Sequence, residues 1–368
     1  MSTHILHVVG ARPNFMKAAP VLRALGAYEG VQQSLVHTGQ HYDSAMSDVF
    51  FHQLEMPDPD VNLGVGSGTH AQQTAAIMQA FELVLQERRP NLVLVYGDVN
   101  STLAAALVCA KKAVPVAHVE AGLRSHDRTM PEEINRLLTD QLSDLLFTPS
   151  ADGDENLIRE GIDPGKIHRV GNVMIDSLVR LLPTAEQNFP SDVTLPYALV
   201  TLHRPSNVDD LPWLKALLEV LAEMSSELGI VFPLHPRTRE RLNELGFGNT
   251  VHSRLRLADP LPYLEFIALQ RHAAVVITDS GGIQEETTFL GVPCLTVREN
   301  MERPITVTLG TNQLIGRDVQ KLRFAAAKLT HHGLRAARGG QPSPCRVPLW
   351  DGHAAKRIAQ VLVRWATG

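Results

Sequence analysis

Short runs of β-branched and aliphatic residues alternate along this chain with longer stretches in which apolar positions recur every three or four residues. The first run, 5–9, precedes an amphipathic stretch at 16–25 and a second run at 33–37, the βαβ rhythm of a parallel sheet. The continuous LVLVY at 92–96 and the run 114–119 read as buried strands, with a small-residue helix at 102–112 between them. Pro131 marks a helix start, and Ile134, Leu137, Leu138, Leu142, Leu145 and Leu146 are expected to follow on one buried face. A second series begins after Gly171: strands at 197–202, 230–234 and 273–278, a long helix at 211–228 and another from Ile283. A turn-rich stretch at 336–344 then precedes a terminal helix with Ile358, Val361, Leu362 and Trp365 on one face.

The pattern predicts two Rossmann-like α/β domains, 1–170 and 171–353, with a closing helix at 354–368. A length of 368 residues agrees, being two to three times that of a typical domain. Hydrophobic residues at 44% and charged residues at 20% exclude a disordered chain. The 34 basic and 39 acidic residues leave a net charge of -5 with no basic tract, which argues against nucleic acid as a partner. No apolar run approaches the ~20 residues that span a bilayer, and the first residues do not read as an export signal. Three scattered cysteines, Cys109, Cys294 and Cys345, suit a reducing compartment, so a cytoplasmic location without a membrane partner is expected.

Candidate chemistry gathers at predicted strand ends, where open α/β sheets place ligands. Gly10-Ala11-Arg12-Pro13 follows the first strand, with Lys17 in the next helix. Arg12 either grips a phosphate or is a surface arginine at a turn. Asp279-Ser280-Gly281-Gly282 precedes the helix from Ile283: glycines and free amides suit an anion, and a plain serine cap would look the same. Glu285 and Glu286 reach sugar hydroxyls from that helix or are simply solvated.

Asp98 and Glu120 each end a predicted central strand, where a carboxylate is costly to bury without partners. Asp98 has a competing role in an Asx turn with Asn100 and Ser101, and Glu132 with Glu133 would suit a helix dipole. His203 ends a strand of the second domain beside Arg204. His37 and His41 have i,i+4 spacing, but Gly39 lies between them and no glutamate follows His37, so neither a zinc helix nor any other metal site is expected. The absence of GxSxG and GxxxxGK[ST] argues against a hydrolase triad and a P-loop.

The stretches GARPNFMKAAP, YGDVNSTLAAA, HVEAGLRSHD, MPEEINR, GNVMIDSL, THRPSNVD, DSGGIQEE, ERPITVTLGTN and DGHAAKRI together resemble those of non-hydrolysing UDP-N-acetylglucosamine 2-epimerases, in the family's order over nearly the whole chain. The resemblance implies a GT-B-like fold, two Rossmann-like domains facing a central cleft, with the last helix returning to the first. It implies a UDP-sugar as substrate, elimination of UDP to a 2-acetamidoglucal and re-addition after reprotonation at C2, no cofactor, and a homodimer. Asp98, Glu120 and Glu132 would handle the C2 proton, with His203 near the reacting centre. Arg12, Lys17 and Arg303 would attend the diphosphate, Ser280, Gly281 and Gly282 a phosphate, and Glu286 the ribose. Arg204, His235 and Phe266 complete the expected substrate contacts.

The C2 hydrogen has no adjacent carbonyl, so it becomes labile only as the C1–O bond breaks. A positioned base supplies about a hundred- to ten-thousand-fold, and donors aimed at the departing diphosphate add roughly 3–4 kcal/mol each. The rival readings are a GT-B glycosyltransferase, which has no use for carboxylates flanking C2, a hydrolysing 2-epimerase, and a nucleotide-sugar-binding regulator without turnover. Gln40-His41-Tyr42-Asp43 lacks the arginine of the family's activating site, which argues against allosteric activation. Arg-Pro-Ser-Asn after His203, and Leu261 near the expected uracil, also depart from many relatives.

Overall fold

The computed structural model describes residues 3–40, 53–247, 254–336 and 345–367. His41, Tyr42 and Asp43 lie outside them. Contacts divide the chain into residues 1–177 with 348–368, and residues 178–347.

The first unit opens with β1 (Thr3–Val9), α1 (Arg12–Leu25), β2 (Val31–His37), β3 (Val61–Asn62), α2 (His70–Arg88), β4 (Leu92–Tyr96), α3 (Asn100–Lys112) and β5 (Val116–Val119). It continues through α4 (Pro131–Leu142), β6 (Leu145–Thr148), α5 (Ala151–Arg159) and β7 (Ile167–Arg169) into α6 (Val173–Glu186). All seven strands are parallel, in the order β3-β2-β1-β4-β5-β6-β7. Strand order reverses between β1 and β4, so the ends of these two strands form the switch point at which ligands bind in such sheets. Buried on both faces, β4 is apolar throughout.

The second unit contains β8 (Tyr197–Thr201), α7 (Pro205–Val208), α8 (Leu211–Met224), β9 (Gly229–Pro233), α9 (Pro236–Glu244), β10 (Leu255–Ala258) and α10 (Tyr263–His272). It ends with β11 (Val275–Thr278), α11 (Gly281–Leu290), β12 (Cys294–Thr296), α12 (Ile305–Thr308), β13 (Asn312–Leu314) and α13 (Val319–Ala336). Its parallel order, β10-β9-β8-β11-β12-β13, puts the switch point between β8 and β11. Leu214, Leu217, Leu218 and Leu221 of α8 pack on Ala198, Val200 and Ile230 of the sheet. Each such side chain, fully buried, contributes roughly 1.5–3 kcal/mol.

The last helix, α14 (Ala354–Thr367), belongs to the first unit and packs on α1. Asp176 of α6 caps it, accepting hydrogen bonds from the Ala354 and Ala355 amides at 3.0 and 2.7 Å. Ile358 and Leu362 are buried, whereas Trp365 is exposed.

The structure corrects the expectation for α4. The helix starts at Pro131, but it buries Glu133, Asn135, Arg136, Thr139 and Asp140, and leaves Ile134 and Leu138 36% and 43% exposed. Leu145 and Leu146 belong to β6 instead. Every buried polar side chain but one on this helix has a hydrogen-bonding partner, so the inward face is a polar network; the exception is the Thr139 hydroxyl. Among the described residues no helix is long and apolar enough to cross a membrane.

Candidate functional site

In the first unit the loops after β1, β4 and β5 are tied to one another. Asn14 of α1 accepts hydrogen bonds from the Gly10 and Ala11 amides at 3.0 and 3.1 Å and donates to the Tyr96 carbonyl at 2.7 Å. This joins the two strand ends at the switch point and starts α1 directly, with Arg12 exposed in its first turn. Lys17, one turn in from Asn14, is buried and ion-pairs with Glu120. The pairing brings the cation expected at the diphosphate onto one of the carboxylates expected at C2.

Glu120 itself has φ +74, the left-handed region that costs a non-glycine residue roughly 1–2 kcal/mol. The Phe147 carbonyl at the end of β6 pins this turn by accepting the Glu120 and Ala121 amides at 3.1 and 3.0 Å. Gly97, with φ +62, is required beside it. A Cβ there would lie 2.7 Å from Lys17 Nζ and 3.2 Å from the Glu120 carboxylate. Asp98 therefore leaves the chain next to the Lys17–Glu120 pair.

Asp98 is itself paired, with Arg136 of α4, and its side chain keeps 28% exposure. Arg136 also donates through Nε and Nη2 to Glu133 at 3.0 and 2.8 Å. Glu133 in turn accepts the Ser125 and His126 amides, both at 2.9 Å. Burial would raise the Glu133 carboxyl, yet these donors hold it below the usual carboxylate range. Asn135 donates to the Asp98 carbonyl at 2.8 Å. Glu133, adjacent to the predicted Glu132, is thus a scaffold for the loop, while Glu132 is half-buried and makes no hydrogen bond or ion pair with a described residue.

Beneath the two carboxylate loops lies a network that sequence reasoning missed. Nε2 of His118, in β5, meets the Gly97 carbonyl at 2.7 Å, and its Nδ1 meets Asp140 at 2.6 Å. Asp140 also accepts the Gly122 amide at 3.1 Å and pairs with Arg124 at 2.7 Å. Asp140 is fully buried, which opposes ionisation, but His118 and Arg124 keep its carboxyl below the ordinary value. One aspartate thereby braces the loop of Asp98 through His118 and the loop of Glu120 through Gly122.

The second unit repeats the plan at its own switch point. His203 follows β8 and Asp279 follows β11, and the two pair through His203 Nδ1 at 2.9 Å. Ser280 is the N-cap of α11, and its side chain makes no capping hydrogen bond. A Cβ on Gly281 would lie 2.7 Å from Arg303 Nη1, so the guanidinium rests against the start of the helix, with Gly282 open alongside. Arg303 pairs with Glu285 at 2.7 Å and Glu302 at 3.3 Å, and Glu302 binds Arg298 through both guanidinium arms at 2.7 and 3.1 Å.

Glu285 and Glu286 are buried and partnered, so neither is solvated. Glu286 accepts from the Tyr263 hydroxyl at 2.6 Å and, with the Gln270 amide oriented to donate, from Gln270 at 2.9 Å. His235 caps α9 with its ring 6.4 Å from that of His203. Partial desolvation and the charges of His203 and Arg237 hold His235 below its ordinary value, against the pull of Asp279. Arg204 donates through Nε to the Asp279 carbonyl at 3.0 Å, and Phe266 is half-buried on α10. A cavity of about 520 Å³, lined by Tyr197, Gly229, Arg254 and Leu255, opens at the amino ends of β8, β9 and β10, the opposite end of the sheet from His203 and Asp279.

Comparison with known proteins decides the family. The family model described as UDP-N-acetylglucosamine 2-epimerase matches residues 23–363. This chain belongs to the UDP-N-acetylglucosamine 2-epimerase family. The Methanocaldococcus jannaschii UDP-N-acetylglucosamine 2-epimerase is 44% identical over 366 residues, covering 96% of this chain and 97% of that protein. A UDP-2,3-diacetamido-2,3-dideoxy-D-glucuronate 2-epimerase from Pseudomonas aeruginosa is 43% identical over 346 residues, covering 92% and 97%. The crystal structure of the M. jannaschii enzyme in complex with UDP-GlcNAc and UDP superposes with a TM-score of 0.85 at 39% identity, over 98% of this chain and 100% of that one. Both units have the Rossmann-like parallel α/β form expected of this epimerase family's GT-B-like fold.

Proposed function

We propose that this epimerase interconverts UDP-N-acetylglucosamine and UDP-N-acetylmannosamine without hydrolysis. A carboxylate takes the C2 proton as the C1–O bond breaks. The C–H electrons become the C1–C2 double bond of a 2-acetamidoglucal, and the C1–O pair leaves on UDP. Return of a proton to the opposite face of C2, with attack of the diphosphate oxygen at C1, gives the epimer. Atoms and electrons balance with no net oxidation and no co-reactant.

The observation that carries this reading is the pair of carboxylate loops at the first unit's switch point: Glu120 in a strained turn, beside Asp98 on Gly97. Backbone strain persists where its surroundings over-determine it, and such strain gathers at working sites. Asp98 and Glu120 handle the proton at C2, with Glu132 as a third carboxylate. Each has a cation or backbone donors to control its charge except Glu132, which stands ready for substrate.

Lys17 and Arg12 serve the diphosphate from this unit, and Lys17 also holds Glu120. From the second unit, Ser280, Gly281, Gly282 and Arg303 take a phosphate, Glu286 the ribose, and His203, with Arg204, His235 and Phe266, stands by the reacting centre. Placement of donors at a helix start suits the charge that grows on the leaving diphosphate. The protein acts in the cytoplasm, as a homodimer.

Incubation with UDP-N-acetylglucosamine, followed by proton and phosphorus NMR, tests the proposal. The expected product is a mixture in which the manno epimer remains attached to UDP. Accumulation of free N-acetylmannosamine with UDP supports a hydrolysing enzyme, and UDP release only on addition of an acceptor supports a transferase. The 43% identity to the P. aeruginosa diacetamido-glucuronate epimerase favours a second reading, a substrate with further substituents on the ring. Faster turnover of that nucleotide sugar selects it.

A further inference from the structure

Asp279 is fully buried at the end of β11, immediately before the start of α11, and its carboxylate receives more than a turn requires. One oxygen accepts the Arg204 amide at 2.9 Å and the Asn207 side chain at 3.1 Å; both oxygens lie within reach of the His203 amide, at 3.1 and 3.2 Å. The fourth partner is the imidazole of His203, through Nδ1 at 2.9 Å. Arg204 closes the loop back onto the Asp279 carbonyl at 3.0 Å. The loop after β8 is thus wrapped on one carboxylate.

Deeply buried though it is, this carboxyl is held below its ordinary range by the His203, Arg204 and Asn207 donors. A carboxylate accepts only, so Nδ1 of His203 must carry hydrogen towards it. Nε2, on a side chain 43% exposed, has no partner among the described residues.

We propose that Asp279 is a positioning residue for the reaction, fixing the ring orientation and tautomer of His203 so that Nε2 is the nitrogen offered to the sugar diphosphate. The inference rests on the proposed place of His203 at the reacting centre. A carboxylate behind an imidazole also stabilises the positive charge the ring acquires when Nε2 is protonated, and so supports a hydrogen bond from Nε2 to the departing diphosphate oxygen. The other charged or titratable groups facing the ring are His235 on α9, with Arg237 behind it bound to Asp209, and Arg204 on the same loop. Asp279 is the carboxylate bound to the ring.

Two measurements on the full chain test this. In the wild-type protein, ¹⁵N-histidine NMR, with the His203 signals assigned by their loss in His203→Asn, is expected to show the neutral ring protonated on Nδ1. A neutral ring protonated on Nε2 overturns the proposal and needs no variant to fold. Steady-state turnover of UDP-N-acetylglucosamine from pH 5.5 to 9.5 is then compared for wild type, Asp279→Asn and His203→Asn.

Asparagine keeps an oxygen for the backbone amides but removes the charge. Asp279→Asn should lose about a hundredfold in kcat, keep KM within about threefold, and shift the limb of the pH profile that His203→Asn abolishes to lower pH. Unchanged kcat and an unchanged limb in Asp279→Asn, with His203→Asn inactive, overturn the positioning role alone. Full activity in His203→Asn instead overturns the placement of His203 on which the inference rests.

Discussion

The Lys17–Glu120 pair allows a sharp prediction. Their side chains are 6% and 5% exposed, so replacing Lys17 by Met removes a buried cation from beside a buried carboxylate. Breaking a buried pair by removing one partner costs about 3–5 kcal/mol, whereas replacing both charges by neutral groups of like volume is often close to neutral. Lys17→Met and Glu120→Gln should therefore each destabilise by about 3–5 kcal/mol, while the double variant lies within about 2 kcal/mol of wild type. The left-handed turn at Glu120 remains in all three and cancels from the comparison.

For a unit of this size 1 kcal/mol moves the melting temperature by roughly 2–4 °C, so each single change lowers it by about 6–20 °C. Urea midpoints and thermal melts of the four proteins at pH 7.5 give the coupling energy directly. In Lys17→Met the buried carboxylate, deprived of this cation, is best tolerated when protonated, so that variant should regain stability relative to wild type as pH falls towards 5. Additive single effects, or a Lys17→Met cost below about 1 kcal/mol, would refute the buried pair as the organiser of this site.

Two further outcomes follow from burial. Leu138 is exposed on α4, so Leu138→Lys should change stability by less than about 0.5 kcal/mol in urea; a loss of several kcal/mol would restore the apolar face expected from the sequence. Burial pushes the Asp176 carboxyl up to about 6, against the pull of the Ala354 and Ala355 amides. Its folded value exceeds the unfolded one of about 3.9, so the folded chain binds more protons between pH 4 and 6, and this contribution to stability is lost as pH rises through that window, by up to about 3 kcal/mol. Asp176→Asn should flatten the difference, and parallel urea curves for the two proteins from pH 4 to 7 would contradict it.

Strand positions were legible because parallel strands buried on both faces are apolar throughout: 92–96 was read from LVLVY and is β4. Helix starts read late, since the first turns of α1 and α3, opening with Arg12 and Asn100, carry no apolar period; there Asn14 and Thr102 bond instead to the Tyr96 carbonyl at the end of β4. The periodicity of α4 misled for a related reason. Leucine spacing reports an apolar stripe, but here Arg136 is buried against Glu133 and Asp98, Asp140 against His118 and Arg124, and Asn135 against the Asp98 carbonyl.

The same limit applies to the site. Asp98, Glu120 and His203 could be singled out as polar residues ending apolar strands. What holds them could not: Lys17 and Glu120 lie 103 residues apart, and His203 and Asp279 lie 76 apart. Asp279 stood in a motif already of interest, yet nothing local distinguishes a carboxylate that starts a phosphate loop from one that clasps a distant histidine. Glu285 and Glu286 read as equally free to face water, and only packing of α11 against Arg303 and Tyr263 separates them from it.

The central claim is that the reaction passes through loss and return of the C2 proton at the Asp98 and Glu120 loops. The most direct measurement is turnover in deuterium oxide with NMR or mass analysis of the recovered nucleotide sugars. One deuterium at C2 is expected in both epimers, appearing in step with epimerisation. Epimerised product that retains its original hydrogen at C2 would contradict it.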